Sequence, residues 1–406
     1  MAAVRTTKRR IAASLASTAA VAAVAGALAV PPAQAAAPAG QAGTVLGANS
    51  AQAVPGSYIV TLKRSAGFKA SAERGKDLVS EYGGTVKRTF TSALNGYAAT
   101  LTAAEAARLA ADPDVASVEQ DQRVRTTGTQ TSAPWGLDRV DQASLPLNGT
   151  YNYPDAAGGG STVYVLDTGV RITHKDLAGR ASYGYDFVDN DATAQDGYGH
   201  GTFVATVAAG STYGVAKKAK IVAVRVLGND GSGTTAGVIA GVDWITAHHV
   251  ADSVANVSLG GGASAALDTA VKNSIASGVT YSIAAGNSGA PAANYSPARV
   301  PAALTVGATT STDARASYSN YGSTVDLFAP GSNITAGWNG SDTATYTGNG
   351  TSFAAPHVSG AAALYLTAHP GATPATVSSA LVNGATGNVL TGIGTGSPNK
   401  LLRLVP

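Results

Sequence analysis

The sequence predicts an α/β protein: a mostly parallel sheet with helices on both faces, preceded by a small α+β domain of ferredoxin-like order. Three observations predict it. After Trp135, short β-rich runs alternate with longer helical stretches, the rhythm a parallel sheet needs because each strand returns through a crossover. Between residues 57 and 120 the order is instead β-α-β-β-α-β within one small unit. The polar stretch Asp121–Ala133, rich in Thr, Gln and Gly, separates the two.

The first 35 residues stand apart by composition. Val4–Arg10 is positively charged, Ile11–Val30 is an apolar run of mostly Ala, Val and Leu, and Ala33-Gln34-Ala35 has a small-x-small cleavage pattern. This is the layout of a secretory signal peptide over residues 1–35, so a secreted, extracellular protein is expected. Pro31-Pro32 ends the run, and no other segment approaches the ~20 apolar residues of a membrane span. Residues 36–56, rich in Ala, Gly and Gln without periodicity, read as a disordered linker.

Within residues 57–127, strands are expected at Ser57–Lys63, Thr85–Phe90, Gly96–Leu101 and Val115–Gln120. Helices are expected at Ala66–Tyr82, closed by Gly83-Gly84, and at Thr102–Ala111, where Thr102 and Glu105 have capping-box spacing. Within residues 128–406, strands are expected at Thr162–Leu166, Ile221–Val226, Val254–Leu259, Thr280–Ala284 and Leu304–Val306. The helices between and after them span His200–Ala209, Ser232–Thr246, Ala263–Ser277, Ser352–Ala368 and Pro374–Asn383.

Composition removes several function classes. Hydrophobic residues make up 45% of the 406 and charged residues 13%, which fits a packed core rather than disorder. The net charge of +3 is concentrated in Arg5, Lys8, Arg9 and Arg10, and beyond residue 127 Asp slightly outnumbers Lys and Arg. No basic face for nucleic acid or membrane is indicated. That larger part contains no Cys and no Glu, so a thiol nucleophile is excluded. Six His leave few candidates for a base at neutral pH.

Three segments carry candidate chemistry. In VYVLDTGV, Asp167 ends a buried strand, where a carboxylate must be paired or hydrogen-bonded. Such an Asp taken alone is more often a turn residue. In DGYGHGTFVA, His200 lies between two glycines at a helix start, where the dipole disfavours imidazolium unless a negative partner offsets it. In NGTSFAAPHVSG, Ser352 follows a Gly-Thr turn and opens an Ala-rich helix, leaving its own N–H free for an oxyanion. A lone Ser there is ordinarily just a cap. Together they form a set: a serine needs a base, and the base needs a carboxylate to fix its tautomer. Asp, then His, then Ser is one of the chain orders in which this triad recurs.

DTGV, GHGT and GTSFAAPHVSG resemble the three signature segments of the subtilisin-like serine proteases. PWGLDRVDQ, AAGNSG and SNYGSTVDLFAPG are similar to the proteinase K branch and its aqualysin-type bacterial members, and the likeness runs from about Pro134 to Pro406. Ser57–Val124 resembles the inhibitor-type propeptides that precede such enzymes. The resemblance implies a secreted serine endopeptidase with Asp167 orienting His200, His200 as base and acid, and Ser352 as nucleophile. Asn287 in AAGN would donate to the oxyanion; read without the family it is a turn residue. Leu227, Gly231, Ser232 and Gly233 would form one edge of a substrate groove, and Ser258, Leu259 and Gly260 the other. Ala284, Ala285 and Gly286 would wall the first specificity pocket.

The same likeness implies structural calcium. Asp326 with the carbonyls of Pro301 and Ala303 matches one site, Asp186 and Asp191 a second, and Asp138, Asp141 and Gln142 a third, all oxygen donors suited to a hard cation. No organic cofactor is needed. Partners would be protein and peptide substrates and the protein's own propeptide, acting as intramolecular chaperone and inhibitor until self-cleavage near Thr127; no nucleic acid, no membrane and a monomer are expected.

Two departures matter. Relatives usually read HGTHVAGT where this chain has HGTFVATV, with Phe203, Thr206 and Val207, and they usually carry Met where it has Phe353. The aromatic pair would be neutral if the two rings fill each other's space, and disruptive beside two catalytic residues if they do not. The alternative function is therefore a catalytically silent peptide-binding module on the same fold.

Overall fold

Thr162–Asp167 (TVYVLD) is buried at every position, as befits a strand covered on both faces. It lies inside a nine-stranded sheet of the computed structural model, which describes residues 42–48, 50, 53–123, 127–177 and 179–404. The expected signal peptide, the start of the expected linker and residues 124–126 beside the expected cut lie outside the described residues. The chain forms two compact units, one up to Ala48 with Val54–Asp121, the other Asn49–Ala53 with Gln122 onward.

In the smaller unit, strands β1 (Val45–Leu46), β2 (Ala53–Leu62), β3 (Thr85–Phe90), β4 (Gly96–Thr100) and β5 (Val115–Gln122) form a sheet in the order β1-β5-β2-β4-β3. Helices α1 (Glu73–Glu81) and α2 (Ala103–Leu109) complete the β-α-β-β-α-β pattern. Thr102 and Glu105 close the capping box from both sides. Two expectations change. Val45–Leu46, inside the stretch read as a disordered linker, pairs in parallel with Val118 and Glu119. The first helix begins at Glu73 rather than Ala66, because Gly67 turns left-handed (φ 75°) and Asn95 Oδ1 accepts the Ala70 N–H at 2.8 Å.

The larger unit opens with a hairpin of β6 (Thr127–Thr131) and β7 (Thr150–Pro154), with the short helix α3 (Trp135–Val140) between them. Then follow β8 (Thr162–Asp167), β9 (Ala181–Asp186), α4 (His200–Ala209), β10 (Lys220–Arg225), α5 (Thr235–His248), β11 (Ser253–Val257), β12 (Gly261–Gly262), α6 (Ala265–Ala276), β13 (Thr280–Ala284) and β14 (Tyr295–Ser296). The remainder is β15 (Leu304–Thr309), β16 (Leu327–Pro330), a hairpin of β17 (Ile334–Gly337) and β18 (Thr345–Gly348), α7 (Thr351–Ala368), α8 (Pro374–Gly384), β19 (Thr386–Gly387) and β20 (Lys400–Leu401). The sheet order is β19-β20-β16-β15-β13-β11-β8-β10-β9, with every described pair parallel except β19–β20.

Helices α4 and α7 pack under one face with a core of Val204, Ala208, Val358 and Ala362; α5 and α6 cover the other with Val242, Ile245, Leu267 and Val271. Helix α7 is buried along most of its length, which explains its apolar circumference. A buried ion pair joins α3 to the turn after β15: Arg139 Nε and Nη2 meet the two Asp313 oxygens at 2.7 and 2.9 Å, and Arg139 Nη1 reaches the Gln142 carbonyl at 2.8 Å. Removing one partner of such a pair strands a buried charge. Asp313→Ala is therefore expected to lose about 3–5 kcal/mol, seen as a melting temperature lower by roughly 10 °C; an unchanged melt would contradict this account of the pair.

Candidate active site

Asp167 is the last residue of β8 and is fully buried. Its Oδ1 accepts the Thr168 N–H at 2.8 Å and meets His200 Nδ1 at 2.7 Å. Its Oδ2 is buried without a donor among the described residues. A carboxylate so poorly solvated favours a cation beside it, and the group in contact that can become one is His200.

His200 opens α4 and approaches the strand end closely because Gly201 has no side chain. A Cβ there would lie 2.0 Å from the Gly169 carbonyl oxygen and 3.3 Å from Asp167 Cβ. The positive end of α4 disfavours an imidazolium, and Asp196 offsets it. Asp196 Oδ1 accepts from Thr168 Oγ1 (2.9 Å), Tyr198 N (3.0 Å) and Gly199 N (2.7 Å). Its Oδ2 accepts from Thr202 N (2.9 Å) and Oγ1 (2.5 Å). One buried carboxylate thus caps the helix and ties it to the residue after Asp167. Burial draws the His200 pKa down, but the charge and hydrogen bond of Asp167 and the charge of Asp196 outweigh it, leaving it above the ordinary histidine value.

Ser352 lies in the first turn of α7. Pro356, inside that helix, has no N–H, so the Ser352 carbonyl loses its helical donor. Ser258 Oγ replaces it at 2.8 Å, and Ser352 Oγ in turn donates to the Ser258 carbonyl at 3.1 Å. The serine is docked onto the segment following β11 through its own backbone. In this state its hydroxyl is bonded to Ser258 and makes no hydrogen bond to His200.

Asn287 is oriented from the other side. Its Oδ1 accepts both the N–H and the hydroxyl of Thr351 at 2.8 Å, so its amide nitrogen faces the opposite way. A Cβ built on Gly350 would lie 3.5 Å from Ser352 N and 3.6 Å from Asn287 Nδ2, so both donors border the same small region. The preceding Gly286 (φ 104°) could not carry a side chain there: its Cβ would meet Asn320 Nδ2 at 2.3 Å. Asn320 braces that loop, donating to the Ala285 carbonyl (2.8 Å) and accepting from Ser288 N and Ala290 N (3.0 Å each).

A groove of about 480 Å³ leads to this centre, lined by Thr168, Tyr198 and His200 with the two segments expected as its edges. Leu227, Gly231, Ser232 and Gly233 stand on one side and Ser258, Leu259 and Gly260 on the other. Ala284, Ala285 and Gly286 do not line it; Ala285 is buried against Ala292, Val325 and Phe328, and the Gly286 N–H donates to Thr351 Oγ1 at 3.1 Å.

The three expected cation sites differ in fit. Among the described residues no three His, Cys, Asp or Glu side chains gather as a metal cluster, so backbone and amide oxygens would have to contribute. Asp186 and Asp191 do not fit: Arg225 Nη1 holds Asp186 Oδ2 at 2.5 Å and Asp189 Oδ2 at 2.6 Å, and Asp191 Oδ1 accepts the Thr193 N–H. A guanidinium already supplies the positive charge. Asp326 fits better. Burial pushes its carboxyl up to about 6, and it accepts the N–H of Thr305, just past Pro301 and Ala303 in the chain. The third set also fits. Asp138 accepts from Asn148 N and Gly149 N, while Asp141 Oδ1 and Gln142 Oε1 are buried oxygens without a donor among the described residues.

Several supporting residues escaped sequence reasoning. Asp196 stood in view four residues before His200, but its long reach into the helix start left no spacing signal. Pro356 had a readable consequence, an unpaired carbonyl four residues earlier, whereas its partner Ser258 depended on tertiary structure.

The comparisons with known proteins identify the family. Residues 158–400 match the subtilase family, and residues 57–127 match the peptidase inhibitor I9 family. The chain is 51% identical to an extracellular serine proteinase of Thermus sp., over 89% of this chain and 92% of that one. It is 42% identical to a cuticle-degrading serine protease of Arthrobotrys oligospora, over 89% and 94% respectively. A crystal structure of a cold-adapted subtilisin-like serine proteinase superposes with a TM-score of 0.66 at 54% identity, covering 68% of this chain and all of that one. The chain belongs to the subtilase family of serine proteases, hydrolases acting on peptide bonds, and carries an inhibitor-type domain ahead of its subtilisin-like fold.

Proposed function

We propose that this protein is a secreted endopeptidase that acts through Asp167, His200 and Ser352 and is made as a self-processed zymogen. The observation that carries the reading is the 2.7 Å contact between a fully buried carboxylate and an imidazole at a helix start. With Nδ1–H donated to Asp167, the free nitrogen of His200 is the basic one.

Rotation of the Ser352 hydroxyl about its Cα–Cβ bond, between staggered wells, exchanges the Ser258 carbonyl for His200 as acceptor. His200 takes the hydroxyl proton as the oxygen attacks the peptide carbonyl. Ser352 N–H and Asn287 Nδ2 then receive the oxyanion. One such donor is worth roughly 10²–10³ in rate, a magnitude measured on a member of this same family. His200 passes its proton to the leaving amine, and water, deprotonated by the same imidazole, releases the acyl group and regenerates the serine. The extended acyl side of the substrate lies between Leu227–Gly233 and Ser258–Gly260.

The silent-module alternative rested on the two aromatic replacements. Phe203 and Phe353 pack with ring centroids 4.0 Å apart while the Asp167–His200 bond is kept, so the rings fill each other's space without parting the pair. Calcium would be held by Asp326 with neighbouring carbonyls and by Asp138, Asp141 and Gln142, supplying the charge their buried oxygens lack. Secretion rests on the signal-like first 35 residues and on the Thermus relative named as extracellular.

Four outcomes are expected. N-terminal sequencing of the secreted protein should find a start near Thr127 in the parent and not in Ser352→Ala; processing in both would refute self-cleavage. The acid limb of kcat/KM should lie above the ordinary histidine value of 6.5, because activity needs neutral His200 and is lost as pH falls through its raised pKa. Asp196→Asn should move that limb to lower pH and cost roughly 10–100-fold in kcat; an unmoved limb would remove Asp196 from the account. A chelator should lower the melting temperature by about 5–10 °C, the scale of ~2–3 kcal/mol of bound-ion stabilisation, and an unchanged melt would mean that no calcium site is filled.

A further inference from the structure

Beside the imidazole of His200, five aromatic side chains form a continuous arc. The Phe353 ring centroid lies 5.7 Å from that of His200 and 4.0 Å from Phe203. Phe203 meets Trp338 and Tyr346 edge-on at 6.4 and 6.3 Å. Trp338 and Tyr346 are 4.6 Å apart, and Trp338 continues to Tyr198 at 6.3 Å. The arc has a buried foundation and an open lip: Phe203 and Phe353 are buried, whereas Tyr198 and Tyr346 are 45% and 48% exposed. Gly348 keeps it closed, since a Cβ there would come within 2.7 Å of both the Phe353 and Tyr346 rings.

Tyr198 belongs to two surfaces at once. It lines the substrate groove with His200, Leu227 and Gly231, and it contacts Trp338. Through the Tyr198 ring contact the groove wall has an aromatic continuation in Trp338 and then Tyr346. The chemistry says what runs over that continuation. The acyl side of a bound peptide fills the groove, and the leaving nitrogen takes its proton from His200. The departing chain thus begins at the imidazole and leaves over the remaining wall.

We propose that Trp338 and Tyr346, braced by the Phe203–Phe353 pair, form a leaving-side subsite that favours aromatic side chains just after the scissile bond. The inference rests on the proposed roles of His200 and Ser352. Phe353, the residue after the nucleophile, and Phe203, one turn along from the base, are the two aromatic replacements among the positions where this chain departs from its relatives' usual residues, so the selectivity belongs to this chain. An aromatic residue stacked on the lip gains contacts that glycine cannot make, a preference of about 2–10-fold.

The test uses the purified enzyme and three substrates with one acyl-side sequence: a peptide with Phe after the scissile bond, the same peptide with Gly there, and a methyl ester with no residue beyond it. The parent should favour Phe over Gly in kcat/KM by about 2–10-fold. Tyr346→Ser should bring that ratio close to unity and leave ester hydrolysis unchanged, which also shows the variant is folded; Tyr346→Phe should keep the parent ratio. A parent without the preference, a ratio unchanged in Tyr346→Ser, or an equal fall on all three substrates would overturn the subsite. Ester hydrolysis by Ser352→Ala tests the underlying reading separately: its survival would remove the nucleophile assignment, whatever the Tyr346 ratios show.

Discussion

A carboxylate buried at the end of a central strand has few ways to be tolerated, and at Asp167 the imidazole of His200 supplies the main one. Desolvation alone would make the histidine of this pair prefer neutrality. Their 2.7 Å contact reverses this for the histidine and raises its pKa despite its own burial. The interaction orders much of its surroundings. Gly201 is needed so that α4 can come close enough, and Asp196 is needed because a helix start would otherwise repel the charge that Asp167 attracts. The helix position and the raised histidine pKa are two consequences of one electrostatic arrangement.

The Ser352 side of the site is built on a backbone defect. Pro356 interrupts the hydrogen-bond ladder of α7, and the carbonyl it leaves unpaired belongs to Ser352. Ser258 takes that carbonyl, so Ser258, on the wall of the groove, and Ser352 share one pair of hydrogen bonds. Asn287 is fixed through Thr351, the residue just before Ser352. Movement of the α7 start would therefore shift the Ser352 hydroxyl, the Ser352 N–H and the Asn287 amide together. Their relative geometry is protected by short chain separations on one side and by the buried sheet on the other.

Much of this was legible in the sequence because buried parallel strands and Ala-rich helices leave strong patterns. Thr280–Ala284 and His200–Ala209 fall where the residues place them, and the Thr102 capping box forms as spaced. Elements whose signal depends on partners were not legible: β9, with its alternating tyrosines, and the β17–β18 hairpin beside the aromatic arc. Leu259 reads as the end of a strand, yet β11 stops at Val257 because Ser258 turns to serve Ser352. The pair Asp186 and Asp191 looked like cation ligands, and only the fold reveals that Arg225 reaches between Asp186 and Asp189. Contacts between distant segments carry no local periodicity, so Asp196, Asn320 and the Phe203–Phe353 packing emerged only with the structure.

The most direct measurement is a crystal structure of the enzyme after reaction with a serine-directed peptidyl phosphonate. The account predicts phosphorus bonded to Ser352 Oγ, its oxygen held between Ser352 N–H and Asn287 Nδ2, and His200 still paired with Asp167. A label on another residue, or a phosphonyl oxygen pointing away from both donors, would contradict it.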